Sequence, residues 1–219
     1  MNLWNTIVRF FQGGGEFMLP IAVVLVVGLS IAIERYIYLT SVGLRNRRLW
    51  NEIVPMLGQG NFRQVVQVTS KSDSAIGQIL NYGLARIQAA RRRDDIEKAM
   101  EESLMEVVPR LEKRTHYLAT FANLATLLGL LGTVIGLINA FHAVAEVNAA
   151  QKASLLSASI SVAMNCTAFG LMTAVPLLFI HAWLQTKTTE LIDSLEMASV
   201  KFLNAVTERR PEAPQPAAA

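Results

Sequence analysis

The hydrophobic residues of this 219-residue chain are concentrated in three long stretches. Residues 17–33, 117–145 and 153–186 contain no Asp, Glu, Lys or Arg, and each stretch reaches the roughly 17–25 residues that a membrane-spanning helix requires. The first crossing is predicted to run from about Phe17 to Leu39. This pattern predicts an all-α membrane protein with three transmembrane helices.

Helical periodicity continues beyond two of these crossings. Asp94 and Glu97 have the spacing of a capping box, which predicts a helix that starts at Asp94 and runs through the second crossing to Ala145. Pro109 is predicted to kink this helix. An apolar stripe extends the third crossing to Phe202. Two of the three transmembrane helices are therefore predicted to extend into a cytoplasmic helical bundle.

The polar segments differ from one another in pattern. Apolar residues at helical spacing predict an amphipathic helix over 2–12, and residues 44–92 predict short helices broken at 58–60 and around 70–74. In chain order, we predict a periplasmic-side amphipathic helix at 1–15, a first transmembrane helix at 16–40, a cytoplasmic helical region at 41–116, a second transmembrane helix at 117–145, a short periplasmic loop at 146–153, a third transmembrane helix at 154–186, a cytoplasmic helix extension at 187–208 and a disordered tail at 209–219.

The basic residues are distributed unequally between these segments. Thirteen Lys and Arg lie between Arg45 and Arg114, whereas the link between the second and third crossings contains only Lys152. Positively charged segments of membrane proteins are retained on the cytoplasmic side. We therefore expect a periplasmic N-terminus and a cytoplasmic C-terminus.

Charge and reactive residues exclude other classes of protein. The net charge of +3 does not indicate a nucleic-acid partner, because basic and acidic residues alternate on predicted helices whose expected neighbours are membrane lipids. The three histidines lack metal-site spacing, and no nucleophile with a base or phosphate-binding motif is present. No enzyme activity, metal or cofactor is expected. The single cysteine, Cys166, is expected to be a packing residue.

The second crossing carries polar residues that lipid alone would not favour. Thr126 and Thr133 are seven residues apart and share a helix face, with Asn123 close to it. On the third crossing, Ser157, Ser161 and Asn165 trace one face while Thr167 lies on the other. The second crossing also has three glycines suited to close helix packing, namely Gly129, Gly132 and Gly136.

Two of these hydroxyls are predicted to lie at the same depth in the membrane. With the spans centred near residues 131 and 170, Thr133 and Thr167 both lie about 3–5 Å to the outer side of the midplane, at about 1.5 Å of rise per residue. In an oligomer they could form a ring of hydroxyls at one level. Alternatively, each threonine merely bonds a carbonyl of its own helix. Thr126, Asn123 and Asn165 are further candidates for lining the same path.

Three segments resemble the MotA/TolQ/ExbB proton-channel family. They are AIERYIYL at 32–39, GLLGTVIGLINAF at 129–141 and CTAFGLMTAVP at 166–176. The resemblance covers nearly all of the chain between Phe17 and Leu203. Three crossings and an outer N-terminus are similar to the ExbB/TolQ branch rather than to the four-crossing MotA branch.

The resemblance implies a homopentamer in the bacterial inner membrane that encloses a dimer of an ExbD/TolR-like partner with a single crossing. The partner's aspartate would carry protons, and Thr133 and Thr167 match the family's two pore-facing hydroxyls. Many members have a glutamate five residues before the third-crossing threonine, where this chain has Val162. Any proton-carrying acid is therefore expected to come from the partner.

Two functions remain open at this point. One is a subunit that uses the proton motive force for outer-membrane import, envelope integrity or motility, with a TonB/TolA-like effector as a further partner. The other is an oligomeric membrane scaffold that conducts nothing, because no residue of this chain must ionise in mid-membrane. Proton flux in liposomes would separate them.

Overall fold

A computed structural model describes residues 13–87 and 93–207 of the chain, and these residues contain helices and no strand. The predicted amphipathic helix at 2–12 and the predicted tail at 209–219 lie outside the described residues. The six described helices are α1 (Met18–Gln59), α2 (Phe62–Ser70), α3 (Ala75–Ile87), α4 (Arg93–Glu112), α5 (Thr115–Glu146) and α6 (Ala149–Thr207).

Three helical segments are long and apolar enough to cross a membrane, as predicted. They are Met18–Gln59, Arg93–Ala145 and Ala149–Thr207. Within the most apolar window of the second segment only 22% of the residues are buried by the chain itself. Most of its apolar surface must therefore be covered by lipid or by other chains.

Helix α1 is longer than the first crossing required. It contains 42 residues and continues about 20 residues past Leu39 before it ends at Gln59, next to the predicted break. Leu39, Leu49, Ile53 and Leu57 are buried at helical spacing, so one apolar stripe holds the extension in place. The region predicted as short helices thus begins with a continuation of α1.

The predicted helix from Asp94 to Ala145 is divided in the structure. Helix α4 passes through Pro109 and ends at Glu112, and α5 begins at Thr115. Between them Arg114 adopts a left-handed backbone with φ of 67°. The interruption is therefore located after the predicted proline kink, at a residue that carries no sequence signal for this conformation.

The chain separates into two compact units. Unit 1 comprises Met1–Arg35 and Arg114–Leu184, and it contains the apolar parts of all three membrane segments. Unit 2 comprises Tyr36–Lys113 and Gln185–Ala219. The divisions fall close to the predicted membrane borders at 40, 117 and 186.

Unit 1 is formed by the first part of α1, by α5 and by the first part of α6. Ile21, Leu118 and Leu177 are fully buried in it. A Cβ atom on Gly28 would lie 2.9 Å from both methyl carbons of Leu177, so α1 and α6 approach closely there. Helices α5 and α6 are joined by Val147 and Asn148 only, which is shorter than the predicted loop at 146–153.

The extra residues of that predicted loop belong to α6. The Gln151 N–H donates to the carbonyl of Asn148 at 3.0 Å, which starts the first turn. Alanines and glutamine after Asn148 favour a helix, so periodic hydrophobicity alone placed the helix start too late.

Unit 2 contains the remaining parts of α1 and α6 together with α2, α3 and α4. Helix α3 packs against both α2 and α4. Its N-terminus is bonded by a side chain from α1, because Asn46 Oδ1 accepts from the Ile76 N–H at 3.3 Å. Phe202 of α6 is fully buried in this unit.

Candidate functional site: the contact between α5 and α6

Two glycines bring the backbones of α5 and α6 together. A Cβ atom on Gly129 would lie 3.2 Å from the Cα atoms of both Gly170 and Thr167. A Cβ atom on Gly170 would lie 2.7 Å from the carbonyl oxygen of Ala125. Because the neighbouring atoms are backbone atoms, a Cβ atom would be tightly packed at Gly129 and would collide at Gly170.

The other two glycines of α5 face α6 as well. A Cβ atom on Gly132 would collide with the Cys166 sulfur, and one on Gly136 would lie 2.9 Å from the Cβ atom of Ala163. Cys166 is a free, buried thiol. All three glycines predicted for helix packing therefore lie at this contact, and Cys166 fills the space that Gly132 leaves.

Thr167 forms a hydrogen bond between the two helices. Its hydroxyl donates to the carbonyl oxygen of Gly129 at 2.8 Å. The absence of a side chain on Gly129 allows α6 close enough for this bond. Thr167 is half-buried, so its oxygen still offers lone pairs to a further donor.

Thr133 and Thr126 bond within their own helix. Thr133 donates to the Leu130 carbonyl at 2.6 Å, and Thr126 donates to the Ala122 carbonyl at 3.1 Å. These are the local bonds that the alternative interpretation of membrane threonines describes. They leave each hydroxyl oxygen able to accept, and rotation about χ1 would let either hydroxyl donate outward.

The asparagines are placed differently. Asn165 donates from Nδ2 to the carbonyl of Gly13 at 3.2 Å, so it tethers the residues that precede α1. Asn123 is exposed on α5. Neither asparagine is hydrogen-bonded to Thr133 in the part of the chain that the structure describes.

Position 162 carries no acid in this chain. Val162 is 37% exposed, and its Cγ1 would lie 3.2 Å from a Cβ atom on Gly15, whose φ is 73°. The acidic residues in the described part of unit 1 are Glu16, Glu34 and Glu146. All three lie at the ends of the apolar segments, so the interior of this unit has no carboxylate.

One polar residue of this region was missed by the sequence analysis. Thr173 is 1% exposed, and its hydroxyl has no hydrogen-bond partner among the described residues. It shares a helix face with Cys166, Gly170 and Leu177, which are spaced at intervals of three or four residues. That spacing could have identified Thr173 as a residue of the packed face.

The proteins similar to this chain explain the arrangement. A profile described as the MotA/TolQ/ExbB proton channel family matches residues 71–197, more than half of the chain. The chain belongs to this family. The match includes the α5–α6 contact with Thr133 and Thr167. With its three apolar helices, this family membership makes it a multi-pass inner-membrane protein.

Individual relatives place the chain on the ExbB/TolQ branch. A biopolymer transport protein ExbB homolog from Methanothermobacter thermautotrophicus is 25% identical over 198 residues, which are 90% of this chain and 69% of that relative. The Tol-Pal system protein TolQ from Pseudomonas aeruginosa is 29% identical over 113 residues, which are 48% of each chain.

A solved structure shares the fold. The structure of MotAB from C. jejuni matches with a TM-score of 0.54 at 16% sequence identity, covering 85% of this chain and 73% of that chain. At this identity the likeness concerns the arrangement of helices. It agrees with the all-helical membrane fold described above.

Proposed function

We propose that this chain is the proton-channel subunit of an energy-transducing complex in the bacterial inner membrane. Family membership is the observation that carries this proposal. The complex would be a homo-oligomer, a pentamer, that encloses a dimer of an ExbD/TolR-like protein with one crossing. The N-terminus would be periplasmic and the C-terminus cytoplasmic, because basic residues are concentrated between Arg45 and Arg114.

The titrating group of the proton path would belong to the partner. In the described part of unit 1, carboxylates occur only at the ends of the apolar segments. A channel that moves protons past Val162 therefore needs an acid from another chain. The partner's aspartate would alternate between its neutral and charged forms as protons enter and leave.

Thr133 and Thr167 would solvate that aspartate. A hydroxyl can accept a hydrogen bond from the neutral acid and can donate one to the carboxylate. It therefore favours neither form strongly. An arginine at the same place would hold the acid ionised and stop the cycle. Thr126, Asn123 and Asn165 contribute to the path as further candidates, with Asn165 acting through its tether to Gly13.

The membrane potential would supply the work. Moving one elementary charge through 100 mV releases about 2.3 kcal/mol, so a few protons suffice to rotate one component within the other. The work would serve outer-membrane import, envelope integrity or motility, with a TonB/TolA-like effector as the receiving partner.

Proton flux in liposomes tests this function. The purified chain is reconstituted alone and together with an ExbD/TolR-like protein from the same genome, and a potassium gradient with valinomycin drives proton entry. Flux is expected only with both proteins. Flux from the chain alone would contradict a partner-borne acid, and no flux from the pair would favour the scaffold.

The same assay tests the threonines. Thr133→Val and Thr167→Val are each expected to lower flux at least about tenfold, because a hydrogen bond to a charged group contributes about 1.5–3 kcal/mol. Thr173→Val serves as the control, since Thr173 is buried and is not a candidate for the path. Full flux in both test variants would contradict the roles proposed for Thr133 and Thr167.

A further inference from the structure

Unit 2 contains a cavity between its parts of α1 and α6 that the proton path does not use. Its volume is about 550 Å³. Thr40, Arg47 and Trp50 line it from α1, and Lys187 and Glu190 line it from α6. Two cations against one carboxylate give the cavity a positive balance.

Its position along both helices corresponds to a membrane border. Lys187 is the first charged residue after the uncharged stretch 153–186. Leu39, which also lines the cavity, is the predicted end of the first crossing. A cavity at this level faces the phosphate region of the leaflet in which the apolar segments end.

The ammonium group of Lys187 is held in a defined place. Its Nζ atom lies 2.7 Å from the Thr40 hydroxyl oxygen and 5.0 Å from the centre of the Tyr36 ring. These contacts hold the ammonium group at the wall of the cavity. Arg47 adds a planar guanidinium, which can bind a phosphate through two parallel hydrogen bonds.

We propose that this cavity binds the headgroup of one anionic phospholipid, with its phosphate between Lys187 and Arg47. The glycerol and the first acyl carbons would contact Leu39 and Leu191, which also line the cavity. A soluble anion would use the two cations but would gain nothing from these apolar side chains. The apolar side chains that line the cavity beside its two cations therefore favour a lipid.

Lipid retention by the purified full-length chain tests this site. Native mass spectrometry would count the dioleoylphosphatidylglycerol molecules that stay bound in detergent. Dioleoylphosphatidylcholine, which is zwitterionic, serves as the control lipid. We expect the anionic lipid to be retained preferentially. Lys187→Gln and Arg47→Gln should each weaken its binding about fivefold, since one cation near the membrane surface contributes about 1 kcal/mol.

Matched variants separate this site from general attraction to basic surfaces. Lys201→Gln and Arg63→Gln remove exposed cations of the same unit that do not line the cavity, and they should retain the lipid. Lys187→Arg should retain it as well. If Lys187→Gln fails to fold, the comparison of Arg47→Gln with Arg63→Gln decides the question.

Three results would overturn the proposal. The first is equal loss of lipid in the cavity variants and in the control variants. The second is unchanged retention in Arg47→Gln and Lys187→Gln. The third is displacement of the lipid by inorganic phosphate at concentrations similar to those of the lipid, which would identify a site for a free anion.

Discussion

The hydroxyl of Thr167 lies 2.8 Å from the carbonyl oxygen of Gly129, so a side chain of α6 is hydrogen-bonded directly to the backbone of α5. A Cβ atom on the same glycine would be in tight contact with the Cα atom of Gly170, at 3.2 Å. The contact between α5 and α6 thus depends on a glycine from each helix. It also includes Thr167, which is proposed for the proton path.

Replacement of Thr167 by valine should destabilise unit 1 modestly. Interhelical hydrogen bonds in membranes contribute about 0.6 kcal/mol on average and at most about 1.7 kcal/mol. Thr173→Val, which removes a buried hydroxyl with no partner among the described residues, should be neutral or stabilising. Unfolding in mixed micelles of increasing dodecyl sulfate content measures both effects. A larger loss for Thr173→Val would contradict the observed bonding.

Gly170→Ala should separate α5 from α6. The new Cβ atom would lie 2.7 Å from the Ala125 carbonyl oxygen, a backbone atom that cannot turn away. Overpacking of this kind costs about 1–3 kcal/mol, and thermal unfolding in detergent should show a lower midpoint. Gly58→Ala is the matched control in a helix, because nothing lies within 4 Å of its Cβ position.

For that control we expect unchanged or slightly raised stability, since alanine favours a helix by about 1 kcal/mol over glycine. Equal midpoints for the two variants would show that the close approach of α5 and α6 does not exist in the folded protein.

Arg114 should tolerate glycine better than alanine. Its left-handed backbone costs a non-glycine residue about 1–2 kcal/mol, whereas glycine adopts it without cost. Both replacements remove the half-exposed ion pair between Arg114 and Glu34 at 3.1 Å, so the difference between them isolates the backbone. Arg114→Gly is therefore expected to be more stable than Arg114→Ala by about 1 kcal/mol.

At Arg110 we expect the opposite order of stability for the glycine and alanine variants. Arg110 lies inside α4 and forms a half-exposed pair with Glu106, so Arg110→Gly should be less stable than Arg110→Ala by about 1 kcal/mol. Chemical unfolding monitored by circular dichroism compares the four variants. If the alanine variant were the more stable one at both positions, the helix would be continuous through Arg114.

Asn46→Ala should destabilise unit 2 because it removes a cap supplied by tertiary contact. Asn46 is buried, and its Oδ1 accepts from the Ile76 N–H at the N-terminus of α3. Loss of a capping side chain costs about 0.5–2 kcal/mol, and amide exchange in α3 should rise accordingly. Asn46→Asp retains the acceptor and should restore protection. Asn51→Ala, at an exposed position of α1, should leave exchange in α3 unchanged.

Much of the fold could be predicted because its signals are local. An uncharged apolar stretch predicts a membrane helix from transfer free energy alone, and glycine or serine clusters at 58–60 and 70–74 predicted breaks that the structure contains. The family motifs in α5 and α6 were also readable, since they are short and contiguous. The roles of Thr133 and Thr167 in a proton path remain predictions.

The sequence by itself determined which segments enter the membrane, because the cost of burying charge depends on composition and not on neighbours. Only the tertiary structure decided that α1 continues past the membrane border, that the chain turns at Arg114, that Asn165 bonds Gly13 and that Thr167 bonds Gly129. The two hydrogen bonds join residues distant in sequence, 152 positions apart for Asn165 and Gly13 and 38 for Thr167 and Gly129. Periodicity identifies a helix face, but the partner that covers the face is selected by packing.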